Sequence, residues 1–181
     1  MKKEFLTTSS IQTKKLGQQL AEELRGGPSL LNKKLFPKAE ARVIICLSGD
    51  LGAGKTTFTQ GLLKGLKIKG PYTSPTFAIL KEYRIKNQES RIKQSATSQE
   101  SIIHNSGFMI HRVYHIDAYR INSKDLLELG FKDFADKENS ITIIEWPENV
   151  KRIIPTDAVW INFEWVSDKE RKITLSTKKE L

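Results

Sequence analysis

Between residues 49 and 56 the chain reads Gly49-Asp50-Leu51-Gly52-Ala53-Gly54-Lys55-Thr56, and no other stretch restricts the possible folds as sharply. The pattern is G-x-x-x-x-G-K-[ST], a loop whose glycines let successive backbone N–H groups turn inward on an anion. Such a loop needs a buried strand before it and a helix after it, because the helix brings its positive end to the anion. Both neighbours are legible. Val43-Ile44-Ile45-Cys46-Leu47 is a β-branched run of buried-strand type, and Phe58, Leu62 and Leu66 recur every four residues as the stripe of an amphipathic helix. The chemistry expected is phosphate binding, with Lys55 reaching the β- and γ-phosphates and the Thr56 hydroxyl on Mg²⁺. The pattern alone arises by chance in roughly one chain in a few hundred of this length. The order strand, loop, helix argues further against a glycine-rich turn that binds nothing.

A length of 181 residues fits one domain with its own core. The chain is rather polar, with a mean hydropathy of −0.42. No apolar run approaches the roughly 20 residues that span a bilayer, and no signal-type apolar segment follows the basic start Met1-Lys2-Lys3. A cytoplasmic location is the expectation. One cysteine, Cys46, excludes a disulfide within the chain, makes thiolate metal ligation unexpected and reads as a small core side chain. A formal charge of +9 favours polyanions such as RNA, or is simply a basic solvated surface.

Along the chain, residues 3–6 suggest a short strand. Ser9 and Gln12 suggest a capping box at the head of a helix that carries Leu16, Leu20 and Leu24 and stops at Gly26-Gly27-Pro28. Residues 28–41 read as a connector. After the loop helix, Gly70-Pro71-Tyr72-Thr73-Ser74-Pro75-Thr76-Phe77 is turn-rich and hydroxyl-rich, either a switch facing a γ-phosphate or an ordinary loop, and residues 77–83 read as a strand. Residues 84–107 are polar and aperiodic, an exposed, mobile excursion between two neighbouring strands, or a long β-hairpin given the apolar Ile102-Ile103.

Residues 109–116 form the next expected strand, ending in Tyr114-His115-Ile116-Asp117-Ala118-Tyr119-Arg120. A carboxylate, an imidazole and a guanidinium there sit at a strand's carboxyl end, where open α/β sheets bind ligands. Ser123 is the expected cap of a helix over 124–129 closed by Gly130. Ile141-Thr142-Ile143-Ile144 is a second buried-strand run, followed at once by Glu145-Trp146-Pro147. A strand that delivers a carboxylate beside the metal of a phosphate loop is the Walker-B arrangement. Residues 159–165 and 171–176 suggest a closing hairpin.

Four islands, in this order, resemble the TsaE (YjeE) family: Gly49 to Thr57, Ser74-Pro75-Thr76-Phe77, His115-Ile116-Asp117-Ala118-Tyr119-Arg120, and Ile144-Glu145-Trp146. These are small bacterial ATPases needed for threonylcarbamoyl-adenosine (t6A) modification of tRNAs that read codons beginning with A. The resemblance implies a P-loop α/β domain over 1–181, its central, mostly parallel sheet flanked by helices and closed by an antiparallel hairpin. It implies hydrolysis of ATP with Mg²⁺, weak without partners, and action with TsaB and TsaD, with tRNA reached through that complex. By the same resemblance Thr56 and Glu145 would hold Mg²⁺. Lys55, Thr57 and the amides of Asp50, Leu51, Gly52, Ala53 and Gly54 would hold the phosphates. Thr76 would belong to the switch, and Asp117 would lie near metal and γ-phosphate. Arg171 falls where relatives carry a nucleotide-contacting arginine, and Ser10 near the start of a helix placed by the nucleotide. The 84–107 segment is longer than the turn usual there.

The residues themselves suggest phosphoryl transfer to water, with Glu145 and Asp117 as the two candidates to orient it; Glu145 reads more naturally on the metal, which leaves Asp117 for the water. His115 reads as a strand-end histidine satisfied by backbone ahead of a catalytic one, Trp146 as a packing or interface residue ahead of a base-stacking one, and Arg120 as the partner of a nearby acid ahead of an arginine finger. Two rivals share the loop. A small-molecule kinase would want an arginine-rich lid, and no compact run of that kind follows Glu145. An RNA-binding adaptor would hold ATP only as a structural ligand.

Overall fold

The computed structural model describes residues 2–26, 42–85 and 110–176. Seven strands form one sheet: β1 (Lys2–Thr7), β2 (Arg42–Gly49), β3 (Leu80–Arg84), β4 (Arg112–Asp117), β5 (Ser140–Glu145), β6 (Val159–Trp165) and β7 (Arg171–Ser176). Their order across the sheet is β1-β7-β6-β2-β5-β4-β3. β6, β2, β5 and β4 run parallel, while β1, β7 and β3 join antiparallel at the two edges. This is the α/β architecture expected, with a parallel centre and the C-terminal hairpin built into the sheet. β1 extends that hairpin, pairing Lys2 with Ser176 through Thr7 with Arg171.

The central strands are buried on both faces, as parallel strands are. All six residues of β5 are buried, and so are Val43 to Leu47 of β2. One core, against helices α1 (Ser10–Leu24) and α2 (Lys55–Gly65), gathers Leu16, Leu20, Phe58, Leu62, Leu66, Val113, Ile143 and Phe163. The other, under α3 (Ser123–Glu128), α4 (Phe131–Ala135) and a 3-10 segment Pro147–Ile153, gathers Ile44, Cys46, Ile116, Leu126, Phe134 and Ile144. Cys46 is fully buried there, as a small core side chain should be.

Beside the side chains they share in that core, α1 and α2 come close enough for backbone to meet backbone at their glycines. A methyl group on Gly61 would stand 2.1 Å from the Lys14 carbonyl oxygen, and one on Gly17 2.3 Å from that of Phe58. The phosphate-loop helix is thereby clamped to α1.

Several local expectations are corrected. Gln12 does not reach back to the N-cap amide: its Oε1 accepts from Thr8 N at 2.7 Å, while Ser9 Oγ accepts from Gln12 N at 3.2 Å. Asn122, not Ser123, caps α3, accepting from Lys124 N and Asp125 N while Asp125 accepts from Asn122 N. Asn122 has the extended backbone that a cap requires, which puts Ser123 inside the helix. β3 starts at Leu80 rather than at Phe77, because Ala78 N and Ile79 N both donate to the Pro75 carbonyl and close a turn. β4 starts at Arg112, not 109. α4 and the Pro147–Ile153 segment had no sequence expectation. The 28–41 connector lies outside the described residues, as does the 84–107 excursion apart from its first two positions. β3 and β4 do flank that excursion as antiparallel neighbours.

Candidate functional site: a phosphate loop facing two carboxylates

The carboxyl ends of β2, β4 and β5 lie side by side, because parallel strands in register end together. Leu47 pairs with Glu145, and Glu145 with Asp117. The loop after β2 therefore opens opposite both acids, in the crevice where a doubly wound sheet binds ligands. A cavity of about 270 Å³ lies there, near the lower end of small-molecule sites. Loop residues Leu51, Gly52, Gly54, Lys55, Thr56 and Thr57 wall one side, and Thr76, Asp117, Tyr119, Arg120, Glu145 and Trp146 wall the other.

Two glycines shape the loop. Gly49 brings its end against β6, where a methyl group would stand 2.2 Å from the Phe163 carbonyl oxygen. Gly54 caps α2 at φ 105, a left-handed backbone that side-chain-bearing residues rarely adopt. The turn brings the first residues of α2, whose amides have no partner within the helix, to the cavity wall.

Lys55 is buried and folds back over its own loop, Nζ donating to the carbonyls of Gly49 at 2.5 Å and Asp50 at 2.9 Å. The same ammonium lies 3.7 Å from the ring centroid of Trp146, which itself stands against Tyr119. Burial pushes the Lys55 amine below its usual 10.5, opposed by the carboxylates of Glu145, Glu148, Asp50 and Asp117. Trp146 thus packs as expected, with the added duty of a shelf beneath the lysine.

Glu145 is 2% exposed and every oxygen is used. Oε2 accepts from Thr56 Oγ1 at 2.8 Å; Oε1 meets His115 Nε2 at 2.8 Å and Thr59 Oγ1 at 3.3 Å. His115 therefore bonds this carboxylate through Nε2 rather than backbone, which corrects the strand-end expectation. Its position two residues before Asp117 puts it on the same face of β4. Asp117 has its own hydroxyl pair: Oδ2 accepts from Thr76 Oγ1 at 2.6 Å and from Ser74 Oγ at 3.2 Å, while Oδ1 accepts from Tyr119 N.

Of the remaining expected residues, Asp50 and Ala53 are part of the loop but are not among the cavity-lining residues, and Ala53 is fully buried. Arg171, at the head of β7, donates from Nη1 to the carbonyls of Ser167 and Glu170 and from Nη2 to that of Gly52 at 3.3 Å. It braces the loop from outside the cavity. Ser10 is exposed in the first turn of α1 and does not line the cavity. Thr13, one turn on, comes closest to the loop: a methyl group on Gly54 would meet Thr13 Cγ2 at 3.7 Å. Arg120 lies over the exposed Phe77 ring, 5.3 Å from its centroid, and forms no ion pair with an acid among the described residues. Sequence reasoning missed Thr59, and it named Ser74 within the hydroxyl-rich segment without giving it a role of its own. Thr59 had a usable signal, four residues after Lys55 on the helix face that Thr56 begins.

The family model for TsaE, threonylcarbamoyl adenosine biosynthesis protein, matches residues 7–173. The tRNA threonylcarbamoyladenosine biosynthesis protein TsaE of Haemophilus influenzae is 33% identical over 146 residues, 80% of this chain and 77% of that protein. The protein of the same name from Aquifex aeolicus is 30% identical over 178 residues, 97% of both. The crystal structure of Bacillus subtilis YdiB aligns with a TM-score of 0.65 over 98% of this chain and 86% of that one, at 24% identity, a likeness of fold. The chain belongs to the TsaE family of threonylcarbamoyl adenosine biosynthesis proteins.

Proposed function

We propose that this TsaE-family chain is a Mg²⁺-dependent ATPase that serves t6A modification of tRNA together with TsaB and TsaD in the cytoplasm. Its part in the t6A pathway follows from the family; ATP hydrolysis and the two partners are the added reading. The observation that carries it is the 2.8 Å contact between the Thr56 hydroxyl and Glu145, at the edge of a cavity walled by a phosphate loop. Mg²⁺ prefers hard oxygen donors and takes few from protein, leaving the rest to phosphates and water. One hydroxyl and one anchored carboxylate fit that habit. Among the described residues no cluster of three His, Cys, Asp or Glu competes as a metal site.

Thr56 and Glu145 would hold the ion, which supplies neutralisation of the charge on β- and γ-oxygens when bound. Lys55 would exchange the carbonyls of Gly49 and Asp50 for phosphate oxygens, a substitution of acceptors around an ammonium already desolvated. The amides of Asp50, Leu51, Gly52, Ala53 and Gly54, with Thr57 at the head of α2, would cradle the phosphates. Asp117, tethered by Thr76 and Ser74, has one oxygen turned to those hydroxyls and the other to a backbone amide. A carboxylate so fixed, one strand across from Glu145, can orient a water for in-line attack. Departure of Thr76 from Asp117 would be the switch.

The test is ATP consumption with and without Mg²⁺, alone and with TsaB and TsaD. Glu145→Ala and Thr56→Ala should each lower Mg²⁺-dependent turnover by about 100-fold or more with an unchanged circular-dichroism spectrum. Wild-type turnover in either variant overturns the assignment.

A further inference from the structure

We infer that His115 is a positioning residue for Glu145, fixing the carboxylate plane so that its other oxygen faces Thr56. This rests on the Mg²⁺ reading above and adds the group that sets the geometry on the metal side. A glutamate carboxylate turns about a broad terminal torsion, so one hydrogen bond leaves its plane free. Thr56 supplies one contact, to Oε2. The second point is at Oε1, where His115 stands at 2.8 Å and Thr59 at 3.3 Å. Hydroxyl bonds cluster near 2.7–2.8 Å, roughly, so the Thr59 contact is the weaker of the two.

An ionised carboxylate can only accept, so the hydrogen of the His115 bond belongs to Nε2. Among the described residues the buried Nδ1 has no partner, so the ring's only polar contact there is to Glu145. The ring is also immobile: it is 1% exposed, on a strand held on one side by Lys81 and on the other by Ile143. Glu145 is thus gripped by α2 through one oxygen and by β4 through the other. Loss of a hydrogen-bond partner behind a metal-binding carboxylate weakens metal binding by about 10–100-fold.

The experiment compares His115→Leu, which removes the donor at similar bulk, with His115→Gln, which keeps an N–H at comparable reach. Mn²⁺ binding is read by electron paramagnetic resonance on the protein with a non-hydrolysable ATP analogue, beside binding of a fluorescent ADP analogue in EDTA. H115L should bind Mn²⁺ about 10–100-fold more weakly and H115Q should recover most of that loss. Metal-free nucleotide affinity should stay within about twofold of wild type in both. Equal losses in the two variants, a Mn²⁺ affinity in H115L close to wild type, or an equal fall in metal-free nucleotide binding overturns the inference. Should H115L fail to fold, ¹⁵N spectra of the wild-type imidazole decide: Nε2 protonated, Nδ1 bare, and the Nε2 resonance moved by Glu145→Gln. An unmoved resonance overturns it. If the wild type with nucleotide binds no Mn²⁺, the metal reading fails, and those spectra still settle whether His115 holds Glu145.

Discussion

Replacing Gly61 by alanine separates two forces that act in opposite directions. Helix propensity alone says that Gly61→Ala, inside α2, stabilises the chain by about 1 kcal/mol. The structure says otherwise. The new methyl carbon would lie 2.1 Å from the Lys14 carbonyl oxygen and 2.8 Å from the Lys14 C and Cα atoms, all backbone of α1. Carbon and oxygen need roughly 3.3 Å or more, so α1 must lift by about 1 Å. Overpacking of this kind costs about 1–3 kcal/mol, and a gap of that width removes a quarter to a half of the contact energy around it. The seam includes Leu16, Leu20 and Phe58, all buried. The net effect is a loss of about 2 kcal/mol, a melting temperature lower by roughly 4–8 °C for a chain of this size. Calorimetry on Gly61→Ala beside Lys64→Ala, on the exposed face of the same helix, measures it, and the lysine variant should stay near wild type. Melting of Gly61→Ala at or above wild type would show that the two helices are not in backbone contact.

Two further outcomes follow from the local geometry. Because burial holds the Lys55 amine below 10.5 in the folded chain, the charged form subtracts stability below that lowered value, and the cost fades as pH rises through it toward 10.5. Nucleotide-free Lys55→Met should therefore melt above wild type at neutral pH, with the gap closing in alkali and nucleotide binding lost; a lower melting temperature at pH 7 contradicts this account. Asn122→Ala should cost about 1 kcal/mol in a chemical-denaturation experiment and Ser123→Ala far less, and the reverse order would restore Ser123 as the cap.

The amino-acid order alone determined the phosphate loop, its strand and helix, the strand that ends in Glu145, and the closing hairpin, because each is a local pattern with its own physical requirement. Val43 to Leu47 reads as a buried strand because it is β-branched and runs into a glycine turn, and Phe58, Leu62 and Leu66 share one helix face. Helix caps were less secure, since Asn122 and Ser123 are both good caps and backbone context chose between them. What touches Glu145 was decided by tertiary structure. Parallel register brings Asp117 and Glu145 level, α2 delivers Thr56 and Thr59, and β4 sends His115 to the remaining oxygen. The place of Arg171 outside the cavity, braced on Gly52, was likewise settled by the sheet, because β7 reaches the loop only after pairing with β6 and β1. Contacts between residues far apart in the chain depend on strand order and register, and no periodicity within a segment encodes those.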